Sequence, residues 1–135
     1  MVVHALAFRG EELLLLRRAG TGFMDGYYCL PGGHQHLGES VDAALRREFH
    51  EETGAIAGEV RAVCVMPYRY GAHQGMNLIF EVHSWRGEPH LAEPELFSEI
   101  LWSESASLPE LATPWIADVL AARREGRWFQ ELYGP

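Results

Sequence analysis

The sequence predicts an α/β domain, a mixed sheet covered by helices. Three observations predict it. Segments of β and helical character follow in the order β-β-β-α-β-β-β-α. The run Leu13-Leu14-Leu15-Leu16 lacks the alternation of a half-exposed strand and suits one covered on both faces. Between them lies one strongly signalled helix, Ser40–Thr53, with Ser40 as N-cap, Asp42 in the first turn and Gly54 as the stop.

The elements follow in order. Val2–Phe8 is apolar and β-prone, Arg9-Gly10-Glu11 reads as a turn, and Glu12–Arg18 completes a hairpin. Ala19–Gly26 is loop-like, with three glycines, and Tyr27–Leu30 is a short strand before Pro31-Gly32-Gly33. After the helix, Glu59–Pro67 and Met76–Trp85 read as strands around a Gly71–Gly75 loop. Arg86–Pro89 is a turn, Glu99–Trp102 a further short strand, and Trp115–Glu125 a terminal helix between Pro114 and Gly126. There is no internal repeat or linker, so residues 1–135 are expected to form a single domain.

Composition narrows the function. A formal net charge of −8 argues against a sequence-blind binder of nucleic-acid polymers, which needs a basic surface. It leaves room for a phosphorylated small molecule if a bound metal supplies the positive field. Two cysteines in apolar contexts, Cys29 and Cys64, point to a reducing cytoplasmic setting. The N-terminal stretch has no basic region before its short apolar runs, so neither a signal peptide nor a membrane span is expected there.

The helix carries a physical problem. At about 100° per residue, Val41, Ala44, Leu45 and Phe49 share one stripe, and Glu48 and Glu52 fall within it. Glu51 lies at its edge beside Arg47, while Ala43, Arg46, His50 and Thr53 take the other side. Like charges four apart destabilise a helix by roughly 0.2–0.5 kcal/mol per pair. Carboxylates in the last turn oppose the macrodipole by about 0.3–1 kcal/mol, and partial burial adds more. An acidic solvated helix end, salt-bridged to Arg46 and Arg47, is the ordinary explanation of such a charge run. A hard divalent cation relieves all three costs at once, and Mg²⁺ favours carboxylates together with substrate phosphate oxygens.

The spacing itself is specific. It runs Gly33, five residues, Glu39, seven residues, Arg47-Glu48-Phe49, one residue, Glu51-Glu52, one residue, Gly54-Ala55. This resembles the Nudix box, GX5EX7REUXEEXGU, where U is a bulky aliphatic residue. The departure is Ala55 at the last U. The LLLLRR strand, the YYCLPGG entry, the GEP turn at Gly87–Pro89 and the SLPEL stretch at Ser107–Leu111 also look like MutT-type Nudix hydrolases.

That resemblance implies an α/β/α sandwich with a mixed sheet and Mg²⁺- or Mn²⁺-dependent hydrolysis of a nucleoside diphosphate linked to a group X. It places Glu48, Glu52 and the Gly33 backbone carbonyl as metal ligands, and Glu51 as a further ligand or the base that activates water. Arg47 would orient the carboxylates, and Glu39 would support the loop–helix junction. Arg18 would meet substrate phosphate, and Glu95 would complete the site from an opposite loop. A nucleoside triphosphate or modified relative, cut to monophosphate and pyrophosphate, is the expected substrate. ADP-ribose or a nucleotide sugar is the alternative, and a non-catalytic nucleotide sensor the rival outside enzymes. Homodimers are common among similar proteins, and oligomeric state stays open. His34 and His36 have no Cys partners for a tetrahedral zinc site. Phe23, Tyr27, Tyr68, Tyr70 and Trp102 are candidates to stack on a base, and Asn77 to read its edge.

Overall fold

The structure, a computed structural model, describes residues 1–134. Its elements are β1 (Val2–Arg9), β2 (Glu12–Arg18), β3 (Tyr28–Cys29), β4 (Gly32–His34), α1 (Val41–Thr53), β5 (Ile56–Ala57), β6 (Val60–Tyr70), β7 (His73–Val82), β8 (Trp85–Arg86), β9 (Phe97–Glu104), α2 (Trp115–Arg124) and β10 (Leu132–Gly134). Eight strands form one mixed sheet along the path β10-β6-β7-β1-β2-β3, with β4 added to β1 and β9 to β2. β1 pairs parallel with β7 and antiparallel with β2, β6 pairs antiparallel with β7, and β5 and β8 form a separate small ladder. Among the described residues no helix is long and apolar enough to cross a membrane.

Period-2 alternation along the strands divides the core into two layers. Val3, Ala5, Ala7 and Leu14 face α1, where Ala44, Leu45 and Phe49 meet them. Leu6, Leu13, Leu15, Met66 and Ile79 face α2 and its Ile116, Val119 and Leu120. The unbroken leucine run of β2 is therefore a strand covered on both sides, as its sequence pattern requires. Each helix burying one stripe on one face gives the α/β/α sandwich.

The hairpin that opens the chain splits almost at once. β1 and β2 are paired only at Phe8–Leu13 and Arg9–Glu12. Past that point β1 takes β4 as its neighbour and β2 takes β3, while β9 runs along the other edge of β2 throughout. The Pro31-Gly32-Gly33 segment, expected as a connection, is thus drawn in as a strand beneath α1. Only glycine fits at Gly32, where a Cβ would stand 2.0 Å from the Val3 carbonyl oxygen.

The structure departs from expectation elsewhere too, and β9 is longer than the expected Glu99–Trp102. The β6–β7 connection is Gly71-Ala72 rather than Gly71–Gly75, because pairing continues to Tyr70–His73. Trp85 leaves β7 and belongs to β8, paired with Ala57. Leu132–Gly134 adds a parallel edge strand beside β6 that periodicity over so short a stretch does not announce.

α1 begins and ends as its sequence requires. The Ser40 side chain accepts from the Ala43 amide, and Gly54 takes the left-handed conformation at φ 75°. Thr53 is buried rather than on the solvent side. Its hydroxyl donates to the Phe49 carbonyl at 2.6 Å and accepts from the Ala55 amide at 3.2 Å, which satisfies it inside the core. Phe49 is fully buried at the centre of this layer. Phe49→Ala is expected to lower unfolding free energy by about 3–5 kcal/mol, measured by urea denaturation with an unchanged slope.

Candidate active site

The split hairpin leaves a cleft of about 470 Å³ whose walls include Arg18, Gly32, Glu48, Glu51, Glu52 and Glu93. α1 supplies three of the four carboxylates, because positions 48, 51 and 52 occupy the part of its surface that faces β4. The backbone sets their distance. Around Gly33 the Glu48 carboxylate lies so close that a Cβ would meet its oxygens at 2.6 and 2.9 Å.

Glu52 is 4% exposed. Among the described residues its polar partner is the Gly32 amide, which donates to Oε2 at 3.0 Å and to Oε1 at 3.4 Å. Burial pushes its carboxyl well above the ordinary carboxylate range, and the charges of Glu48 and Glu93 add to the rise. Glu48 is raised too, again chiefly by burial, with Arg47 acting against the shift and Glu51 with it. Glu93 moves up for the same first reason, helped by Glu51, Glu95 and Glu48. Three carboxylates are therefore biased toward their protonated forms in one cleft.

Arg47 holds the assembly together. Its Nε and Nη2 donate to the two Glu39 oxygens at 2.7 and 3.0 Å, a bidentate pair. Nη1 donates to Glu48 at 2.9 Å and more weakly to Glu51 at 3.3 Å, while Nη2 also reaches the His34 carbonyl at 3.1 Å. The fork of Arg47, together with the His36 amide, holds the Glu39 carboxyl down to about 2. Arg46 turns away to Asp42 and the carbonyls of Ala57 and Gly58, so it does not neutralise the helix end. The carbonyls of that end are partly met by the loop between β8 and β9. The His90 amide donates to the Thr53 carbonyl at 2.9 Å and the Ala92 amide to the Glu52 carbonyl at 3.4 Å.

That loop places its glutamates differently from the expectation for Glu95. Leu96 and Phe97 amides both return to the Glu93 carbonyl at 3.0 Å, closing a turn around Pro94 and Glu95. Glu93 lines the cleft, whereas Glu95 is exposed and is not among its lining residues. Glu93 is the cleft-lining carboxylate that sequence reasoning missed, and two glutamates two apart in a loop give no local signal to choose between them.

Arg18 does line the cleft, but it is also tied to the neighbouring loop. Its Nε donates to the Phe23 carbonyl at 2.8 Å and its Nη2 to the Thr21 hydroxyl at 3.2 Å. Of the aromatic candidates, Phe23 is exposed, and Trp102 is stacked on Trp85 with Arg9 above it. Tyr68 packs against the α2-side core, and Asn77 is buried with its Oδ1 3.0 Å from His4 Nε2. None of these four lines the cleft. Among the described residues no three His, Cys, Asp or Glu side chains are gathered so as to hold a metal ion by themselves.

The family model for the NUDIX domain matches residues 1–125. This chain belongs to the NUDIX domain family. A MutT NUDIX hydrolase from Burkholderia pseudomallei superposes with a TM-score of 0.83 at 26% identity, covering 89% of this chain and 94% of that one. An NAD-capped RNA hydrolase NudC of Stutzerimonas stutzeri (strain A1501) is 31% identical over 132 residues, 90% of this chain but 44% of that protein. An 8-oxo-dGTP diphosphatase of Escherichia coli (strain K12) is 26% identical over 89 residues, 66% of this chain and 69% of that protein. The NUDIX chain described here thus spans less than half the length of the NudC relative. Among the relatives it resembles, one is named as a hydrolase of NAD-capped RNA and another as a diphosphatase of 8-oxo-dGTP.

The Glu39–Arg47 fork makes stability depend on pH in a defined direction. Folding lowers the Glu39 carboxyl from its ordinary 4.5 to about 2. The resulting stabilisation is complete above the ordinary value and is lost as pH falls toward the folded one. Glu39→Gln is expected to be less stable than the parent at neutral pH. Urea midpoints measured at successively lower pH should show the two proteins converging as Glu39 is protonated.

Proposed function

We propose that this domain is a metal-dependent pyrophosphohydrolase that cleaves a nucleoside diphosphate linked to a group X. The preferred substrate is a nucleoside triphosphate or modified triphosphate, and the products are the monophosphate and pyrophosphate. The observation that carries the reading is the Glu52 carboxylate, 4% exposed, beside Glu48 on the wall of an acidic cleft and, among the described residues, without a cationic partner within salt-bridge reach of it. Such a group is costly unless a cation joins it.

The donor set fits Mg²⁺ or Mn²⁺. Glu48 and Glu52 offer hard oxygen ligands, and the Gly33 carbonyl is the third donor of the proposed set. An open arrangement rather than a cage suits a cation that keeps several waters and takes substrate phosphate oxygens. When bound, the ion supplies charge neutralisation at the phosphate and a more acidic attacking water. Arg47 keeps Glu48 and Glu51 oriented, which is worth most in a reaction that depends on positioning. Arg18 faces the same space with a guanidinium fork suited to phosphate. In the step itself, water oxygen attacks phosphorus, the P–O–P link breaks and pyrophosphate carries away the bonding pair. The proton of the water passes to a carboxylate. Glu51, 46% exposed at the rim, and Glu93 opposite are the two candidates to receive it.

The likeness to the 8-oxo-dGTP diphosphatase supports a triphosphate. The greater identity to the NAD-capped RNA hydrolase supports a second reading, a dinucleotide-type pyrophosphate of which ADP-ribose is a simple member. A reducing cytoplasmic setting belongs to the same proposal. Cys29 and Cys64 are unbridged, and burial pushes the Cys29 thiol up to about 12, which keeps it unreactive.

Turnover of triphosphates, oxidised triphosphates, ADP-ribose, NAD-type dinucleotides and nucleotide sugars tests the proposal, with Mg²⁺, Mn²⁺ or chelator and with product identification. Metal-dependent release of pyrophosphate is expected, reduced by about a hundredfold or more in Glu52→Gln. Release of two monophosphates from a dinucleotide would favour the second reading. Activity that survives chelator or the Glu52 change would sink the metal assignment, and binding without turnover would mark a sensor.

A further inference from the structure

Away from the cleft, a groove of about 220 Å³ lies between the start of β6 and the end of α2. Arg61, Arg123 and Arg127 line it, over walls formed by Ala62, Val63 and Ala122. It shares no lining residue with the acidic cleft. The helices that border the two sites, α1 and α2, lie against opposite faces of the sheet. The chain has no lysine, and three of its eleven arginines converge here on a molecule of net charge −8. We infer that this groove is an oxyanion site that takes the phosphate or diphosphate group of a small ligand.

Preorganisation carries the inference. Glu81, 3% exposed, is buried beneath the groove and accepts from both Arg61 and Arg123. Burial pushes its carboxyl up, but Arg123 and Arg61 more than reverse this and leave it low. It therefore stays ionised and fixes two guanidinium groups in place before any ligand arrives. The Arg123 guanidinium is held further by Phe8, whose ring centre is 4.5 Å away. A guanidinium has five N–H donors, and Arg61 and Arg123 each give only one to Glu81. The remaining donors match the oxygens of phosphate in pairs.

Opposing charges are present and are outnumbered. Arg127 is engaged by Glu125 and Gln130 at the rim. The C-terminal carbonyls of α2 carry partial negative charge, which Arg123 and Arg124 in the last turn offset. Apolar walls reduce screening inside the groove. Its volume is below the roughly 300–1,000 Å³ of pockets that enclose a whole drug-sized ligand. It therefore suits an oxyanion group with the rest of the ligand outside.

Calorimetric titration of the full chain with inorganic phosphate, pyrophosphate and AMP in the presence of chelator tests this. Without metal and at mildly alkaline pH the carboxylates of the cleft disfavour anions, so binding under these conditions reports the groove. One equivalent of pyrophosphate is expected to bind. Affinity should fall about a hundredfold in Arg61→Gln/Arg127→Gln, with metal-dependent turnover unchanged, and should persist in Glu52→Gln. Arg123 is left intact because Glu81 needs it. Arg61, 67% exposed, can be changed alone should the double variant unfold. AMP binding as tightly as phosphate would assign the anion to a nucleotide's phosphate, and pyrophosphate alone to a free diphosphate. No binding of any anion, or binding that survives both arginine changes, overturns the site.

Discussion

The Glu52 carboxylate lies under β4 with one backbone amide as its hydrogen-bond partner and Glu48 and Glu93 as negative neighbours. A buried unpaired carboxylate is among the more expensive arrangements a fold can hold, and the ordinary response is a raised pKa. The surrounding structure is arranged so that the group is kept there. The β1–β2 hairpin splits to admit Gly32-Gly33, the absence of side chains on those residues lets the strand lie against Glu48, and Phe49 anchors the same face of the helix in the core. Arg47 then sets the orientation of Glu48 and Glu51 without touching Glu52. The protein carries a local instability at the point where a cation would be most strongly held.

Much of this was legible because a helix is a local object. Its 3.6-residue period places Glu48 and Glu52 on the stripe of Phe49, and Ser40 and Gly54 mark its ends, so the three carboxylates and Arg47 could be named from spacing. The leucine run gave a doubly covered strand for the same local reason. What could not be read depended on partners distant in sequence. Gly32–His34 is a strand only because β2 moves away from β1, and Leu132–Gly134 only because the β6 edge is available. Thr53 is buried only because its hydroxyl finds the Phe49 carbonyl and the Ala55 amide. The choice of Glu93 over Glu95 hangs on two amide hydrogen bonds that fix a turn.

Ala55 shows the fold adjusting to a departure from the family pattern. It is fully buried where a bulky aliphatic residue is usual, and it sits in the α1-side layer with Ala57, Phe80 and Val82. Ile56, next along, is 48% exposed and does not replace it. The neighbouring His90 ring packs on Gly54, where any Cβ would meet it at 2.1 Å. Space near the helix end is thus taken by the loop that carries Glu93, which links the small residue to the way the fourth carboxylate is delivered.

The most direct measurement of the central claim is calorimetric titration of the protein with Mn²⁺ at mildly acidic pH in buffers of different ionisation enthalpy. If buried carboxylates of α1 hold protons until a cation displaces them, binding will release protons and the observed heat will depend on the buffer. That dependence should be reduced in Glu52→Gln. Buffer-independent heats with Glu52 intact, or no binding at all, would contradict the account and return the acidic helix end to a charged surface with no metal to hold.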